Sequence, residues 1–256
     1  MEPRTRVYIC CSPHRRTGTT TTARLLTDFF VFNGRNFTGF DTDPHERDYG
    51  ARFPQGVTVV DAEKVQGQVA IFDRLLVHDE TPKIVDLSHR YYNGFWETID
   101  QIGFMDEARA LLIEPIALFH LDANRASLAA AQALAGRWPD LNMVAVTNKG
   151  AAPLGKDALE ILTHFPSPRR VVIGALDPST RAYFEASDFS MTRFLQTPPS
   201  DMSIVIRIGL RAWVAPIFTQ FRTIAEDVPF GLGKSKGLME MGVAALLASN
   251  PLGQGR

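Results

Sequence analysis

Several things are scarce in this chain of 256 residues, and each scarcity removes a class of explanation. There are only two cysteines, Cys10 and Cys11, and they are adjacent. Neighbours on a strand point to opposite faces, so a disulfide between them is not expected, and a reducing cytoplasm fits. Charge of one sign is missing too. Lys and Arg total 27 against 28 Asp and Glu, a net charge of -1. No global basic field therefore argues for nucleic acid or an anionic membrane, although a local patch around Arg207 and Arg211 would not register in the net charge. The first residues, Met1-Glu2-Pro3-Arg4, hold no apolar signal region, and no uninterrupted apolar run is long enough for a bilayer, so no transmembrane segment is expected. Tandem repeats and low-complexity tracts are not evident. The apolar share, 45%, is ordinary for a globular protein with a full core.

What is present is an alternation. Strand-like runs fall at about 6–11, Phe37–Phe40, Val57–Val60, Lys83–Asp86, Ile116–Leu121, Met143–Asn148 and Val171–Ile173. Between them, helical spacing runs through about 20–33, 64–78, 95–111 and 124–136. Strands alternating with helices predict an α/β fold, a mostly parallel sheet covered by helices on both faces. We expect residues 1–200 to form this domain. Residues 201–256 are expected to be a C-terminal helical extension, packed on it or projecting from it. In that extension a long helix over about 201–225 is kinked by Pro216, a turn spans Pro229–Gly237, and a short apolar helix runs from Leu238 to Ala248.

The first strand leads into the most informative segment. Ser12-Pro13-His14-Arg15-Arg16-Thr17-Gly18-Thr19-Thr20-Thr21-Thr22 opens the first helix. A strand, a polar turn and a hydroxyl-rich helix start form the layout of a phosphate-binding loop, where backbone N–H groups and the helix dipole face an anion. The plainer reading is a polar turn with capping hydroxyls. Set on the pattern Gly-x-x-x-x-Gly-Lys-Ser/Thr, Pro13 takes the first glycine, Gly18 is kept, Thr19 replaces the lysine and Thr20 supplies the Mg-ligating hydroxyl. Loss of that lysine removes a contact worth roughly 1.5–3 kcal/mol. His14, Arg15 and Arg16 are the candidates to return positive charge.

Other polar residues end other strands, where ligands of parallel sheets sit. Asp41-Thr42-Asp43-Pro44 follows the second strand. Its two carboxylates share a face. One suits a Mg-bound water and the other an attacking water; Asx-turn chemistry before proline is the alternative. Asp86 suits a water-mediated metal contact or a helix cap. Asn148 suits a base edge or a loop. Gly233-Lys234-Ser235 looks like a phosphate-loop fragment, but Val228 stands where the first glycine belongs and no strand leads into it, so it is set aside.

Cys10-Cys11-Ser12 through Ala23, Phe40-Asp41-Thr42-Asp43-Pro44, Ile84-Val85-Asp86 and Val146-Thr147-Asn148 together resemble the ParA/MinD family of deviant-Walker ATPases, over roughly residues 5–195. The resemblance implies a cytoplasmic, nucleotide-dependent homodimer that positions DNA, division machinery or other cargo, with ATP or ADP and Mg²⁺ as cofactors. It implies Thr20 as the Mg-ligating residue, Asp43 as the hydrolysis-linked acid, Asp86 as the switch acid and Asn148 as the adenine-reading amide. His14 falls at the family's signature lysine, Arg15 and Arg16 at its two glycines, Thr19 at the main lysine, and His45-Glu46-Arg47 at the usual Gln-Gly-Asn. Slow or absent hydrolysis is the expectation, with catalytic roles for Asp43 and Asp41. Ligand contacts are expected from His14, Arg15, Arg16, Thr17, Gly18, Thr19, Thr20, Thr21 and Asn148. Metal contacts are expected from Thr20, Asp41 and Asp86. An unidentified protein partner is expected, and 201–248 is read as a partner, dimer or membrane-edge element. One alternative is a scaffold that binds no nucleotide. Another starts from Arg16-Thr17-Gly18-Thr19-Thr20, which looks like the donor loop of sulfotransferases; Arg125 and Ser127 would then hold the 3′-phosphate of a 3′-phosphoadenosine donor.

Overall fold

The computed structural model describes residues 4–152 and 170–226. The turn read at Pro229–Gly237 and the helix read at Leu238–Ala248 lie outside the described residues. Seven strands form one sheet in the order β3-β2-β4-β1-β5-β6-β7. They are β1 (Thr5–Cys11), β2 (Thr38–Asp41), β3 (Val57–Val59), β4 (Lys83–Asp86), β5 (Ile113–His120), β6 (Asn142–Asn148) and β7 (Arg170–Ile173). Every pairing is parallel. The predicted α/β fold with a parallel sheet is the observed one. β5 carries Pro115, which has no N–H to give to a ladder. It sits opposite Val7 of β1, while pairing with β6 begins only at Ile116.

The sheet is buried on both faces because its central strands carry apolar runs through their middles, with polar residues near their ends. Period-two alternation divides them. Val7, Ile9 and Cys11 join one core, and Tyr8 and Cys10 join the other. Cys10 and Cys11 are thus back to back, buried and free. The first core is covered by α3 (Val65–Leu75), α4 (Tyr92–Gln101), α5 (Phe104–Ala110) and α6 (Arg125–Arg137). The helical run read over 95–111 is two helices. Gly103, at φ 64, breaks it and starts α5.

The second core is built around α1 (Thr19–Phe32). Every residue from Thr22 to Phe30 is buried. One side lies on the sheet. The others meet α2 (Asp48–Arg52) and three elements beyond β7: α7 (Pro178–Glu185), α8 (Met191–Gln196) and α9 (Ile204–Glu226). The polar residues of α1 are matched. Asp28 Oδ1 accepts from the Thr192 N–H at 2.9 Å and its hydroxyl at 2.7 Å. Arg24 donates to Phe184 O at 3.0 Å and lies 4.5 Å from that ring. The Thr27 and Tyr49 hydroxyls are 2.7 Å apart.

The sequence patterns missed α2, α7 and α8, which are only five, eight and six residues long. At that length periodicity carries little signal. Asp177-Pro178 did carry one: Asp177 Oδ1 accepts from the Ser179 and Thr180 N–H groups, and proline starts the helix.

α9 runs unbroken through Pro216. It is the one helix among the described residues long and apolar enough to cross a membrane by length and composition, with a best-window mean hydropathy of 1.3. Its buried side, Leu210, Val214, Ile217, Phe218 and Phe221, belongs to the second core. Its first turns leave Ile204, Val205 and Ile208 exposed.

Phe29 is the centre of this packing, fully buried with ring centroids 5.3 Å from Phe30, 5.5 Å from Phe218 and 6.0 Å from Phe221. Phe29→Ala is expected to cost about 3–5 kcal/mol. A lower urea midpoint at unchanged slope is the predicted result.

Candidate functional site

The strand order reverses about β1. The chain goes out to β2 and β3, returns to place β4 beside β1, then crosses to β5, β6 and β7. A crevice at the carboxyl ends follows from that reversal. It is a cavity of about 580 Å³, walled by the loop after β1, the ends of β2 and β4, and residues from the β6 and β7 side.

The loop is shaped by two left-handed residues, Arg16 at φ 59 and Gly18 at φ 91. Gly18 caps α1 without any side-chain bond to the first turn. The residues of that turn, Thr19, Thr20 and Thr21, line the cavity. The N-terminus of a 14-residue helix, uncapped by any side chain, thus opens onto it. A methyl group at Gly18 would come within 2.3 Å of Asn148 Nδ2. Glycine is required twice over, by backbone angle and by the side chain above it.

Three carboxylates face this turn. Asp41 and Asp86 are register partners on adjacent strands. Asp41 is bound by backbone: Oδ1 accepts from Asp43 N–H at 3.1 Å, and Oδ2 from Tyr49 and Gly50 N–H at 3.1 and 2.9 Å. Its pKa is nonetheless raised, because burial outweighs those bonds. Asp86 is pushed up to about 7, first by burial and then by the Asp41 charge, with hydrogen bonds from Thr20 and Thr19 pulling the other way. Asp43 differs. Burial raises it, but N–H groups of Glu46 and His45, the Ser88 hydroxyl and the Arg90 charge leave it below the usual carboxylate value. Oδ1 accepts from His45 and Glu46 N–H at 3.0 and 3.1 Å, and Oδ2 from Ser88 Oγ at 3.1 Å. A carboxylate so held is a weak base.

Of the residues singled out in the sequence, His14, Arg15, Arg16, Gly18, Thr19, Thr20, Thr21, Asp41, Asp43 and Asp86 line the cavity. Arg15 and Arg16 are exposed at its edge. His14 Nδ1 is 2.7 Å from Asp122 Oδ2. Thr17 and Asn148 lie behind the wall. Thr17 is buried, its carbonyl 3.1 Å from His120 Nδ1. Asn148 Oδ1 accepts from Gly150 and Ala151 N–H at 3.0 and 3.2 Å. Arg125 and Ser127 do not line the cavity, and the Ser127 hydroxyl is turned to His120 O.

Sequence reasoning missed Ser12, Asp48 and Arg181 as lining residues. Arg181 went unseen because α7 did. His120 was missed altogether: it is fully buried under the loop, its pKa is lowered to about 4 by burial, and its Nε2 has no partner.

No protein-family model matches the chain, and no curated protein matches it in sequence. Among solved structures, it is similar to a chain of the MinC:MinD cell division protein complex of Aquifex aeolicus, at 15% identity and a TM-score of 0.41, over 89% of this chain and 99% of that one. A likeness at that level carries nothing about ligand or role.

Two outcomes follow from the geometry. Gly18→Ala is expected to destabilise by about 1–3 kcal/mol through backbone strain alone, with the Asn148 clash added. Asn148→Gly in that background should recover only the clash, as read by thermal melts. Gly34→Ala, at φ 70 with nothing within 4 Å, is the control for strain alone. For Asp86, a folded pKa above the unfolded value means stability present below about pH 4 and lost as pH rises through about 7. Asp86→Asn should therefore stabilise at pH 8, by roughly 1–4 kcal/mol without divalent ions, and the gain should vanish near pH 4. A pH series of melts for both proteins measures it.

Proposed function

We propose that the cavity takes the phosphates of a nucleoside di- or triphosphate with Mg²⁺, and that the protein is a dimerising, nucleotide-dependent positioning switch with slow or no hydrolysis. The resemblance to ParA/MinD ATPases implies ATP or ADP as the ligand and the cytoplasm as the compartment. It also implies a protein partner or cargo. One observation carries the reading: the uncapped α1 N-terminus opens onto a cavity that also holds buried carboxylates from β2 and β4. An anion suits the first and a divalent cation the second, and a Mg-bound polyphosphate joins the two.

The residues fit that group. Asp86 and the Thr20 hydroxyl would hold Mg²⁺. Asp41, whose oxygens already accept three N–H groups, would act through water. The ion would neutralise phosphate charge. Arg15 and Arg16 stand at the edge without an ion pair among the described residues, and they would replace the missing lysine charge from new directions. Asp43, with its pKa lowered and its oxygens engaged, favours orienting a water over deprotonating it, which agrees with slow turnover.

Calorimetric titration with ATP, ADP and 3′-phosphoadenosine 5′-phosphate, with and without Mg²⁺, tests this. Micromolar, Mg-dependent binding of a di- or triphosphate is the expected result. Arg15→Ala with Arg16→Ala should weaken it by roughly tenfold to a hundredfold. No heat from any ligand on folded protein would overturn the switch and leave a nucleotide-free scaffold.

A further inference from the structure

The loop after β1 contains one peptide whose orientation its own residues leave open. The peptide between Thr17 and Gly18 is trans, so its C=O and N–H point in opposite directions. Turning it over changes ψ of Thr17 and φ of Gly18. Glycine accepts φ of either sign at little cost, so Gly18 opposes neither orientation. For an anion in the cavity the two are opposites, since one presents an N–H and the other a carbonyl oxygen. The next peptide has no such freedom. Gly18 O accepts from the Thr22 N–H at 3.0 Å and from the Thr22 hydroxyl at 3.2 Å, as part of α1.

His120 supplies the missing anchor. It ends β5, in register with Val146 of β6. Along β5, Ile116 and Leu118 belong to the second core, so strand alternation turns His120 to the same face, the one that α1 covers. There the imidazole is fully buried, and its Nδ1 lies 3.1 Å from Thr17 O. A carbonyl only accepts, so Nδ1 carries the proton. Nε2 has no partner among the described residues, and a proton placed there would be buried without an acceptor. Burial also lowers the pKa to about 4, so above that pH the ring is a neutral donor. The Thr17 carbonyl is thus held down onto β5. The Gly18 N–H is directed the other way, and Gly18 lines the cavity.

We propose that His120 is the positioning residue of the anion loop: its Nδ1–H holds the Thr17–Gly18 peptide in the orientation that turns the Gly18 N–H to a bound phosphate. This rests on the phosphate reading above.

Inorganic tripolyphosphate, titrated into the full chain with Mg²⁺, is the probe. His120→Asn keeps an N–H donor near the place of Nδ1, and His120→Leu fills the space without one. The leucine variant should bind tripolyphosphate roughly tenfold to a hundredfold more weakly, as for loss of one hydrogen bond to a charged group, and the asparagine variant should recover most of that. Nitrogen-15 NMR of the unaltered protein at neutral pH should show the His120 proton on Nδ1. The Gly18 amide proton should move downfield when tripolyphosphate is added. A folded leucine variant that binds as the unaltered protein does, a proton on Nε2, or binding that leaves the Gly18 amide unmoved would each overturn the inference and leave the phosphate site standing. If His120→Leu does not fold, the two NMR readouts on the unaltered protein decide. If that protein binds no tripolyphosphate, the phosphate reading falls and this one falls with it.

Discussion

The burial of α1 on all sides is the constraint from which the rest of the structure follows. A helix lying on a sheet normally keeps one face in water. This one has none from Thr22 to Phe30, because α2, α8 and α9 close over it. Its polar residues are therefore obliged to find protein partners, and Asp28, Arg24 and Thr27 find them in α8, α7 and α2 respectively. Such enclosure opposes movement of the helix, and so of the loop at its N-terminus.

That rigidity bears on the chemistry of the cavity. The uncapped first turn presents its N–H groups from a fixed position, which is what an anion site needs if binding is not to pay for ordering a loop. The carboxylates opposite are equally fixed, each by a different means. Asp41 is tied by backbone N–H groups, Asp43 by a turn and the Ser88 hydroxyl, and Asp86 by its place in the sheet beside β1 and β2. These environments separate their proton affinities. Asp86 is raised toward neutrality, and Asp43 is lowered by the N–H groups and hydroxyl that it accepts from. The loop carries threonine at the helix start and arginine at positions 15 and 16, so its positive charge stands at the cavity edge. Arg16 takes a left-handed turn there, a conformation that favours glycine.

Much of this was legible in the residues. The alternation of apolar runs predicted the parallel sheet. Acids and amides at strand ends pointed to the carboxyl edge, where Asp41, Asp43 and Asp86 do gather. Asn148 also ends its strand, and there its amide oxygen accepts from the Gly150 turn while its Nδ2 lies over Gly18, a local packing outcome that no spacing rule foretells. Arg181 and α7 were hidden by the brevity of the helix, and His120 by looking like an ordinary strand residue.

The sequence by itself determined the periodicities, the two-faced cores and the hydroxyl-rich helix start, because these depend on neighbours within a few residues. Tertiary structure alone decided which polar groups meet. Asp122 reaches His14 across 108 positions, and Asp28 reaches Thr192 across 164. It also decided that α9 joins the second core, burying Phe218 and Phe221 against Phe29, and that Arg181 closes the cavity beside Gly150. Such contacts depend on how distant elements stack on the sheet. Local patterning holds no record of that, because strand order and side-chain volume settle it together.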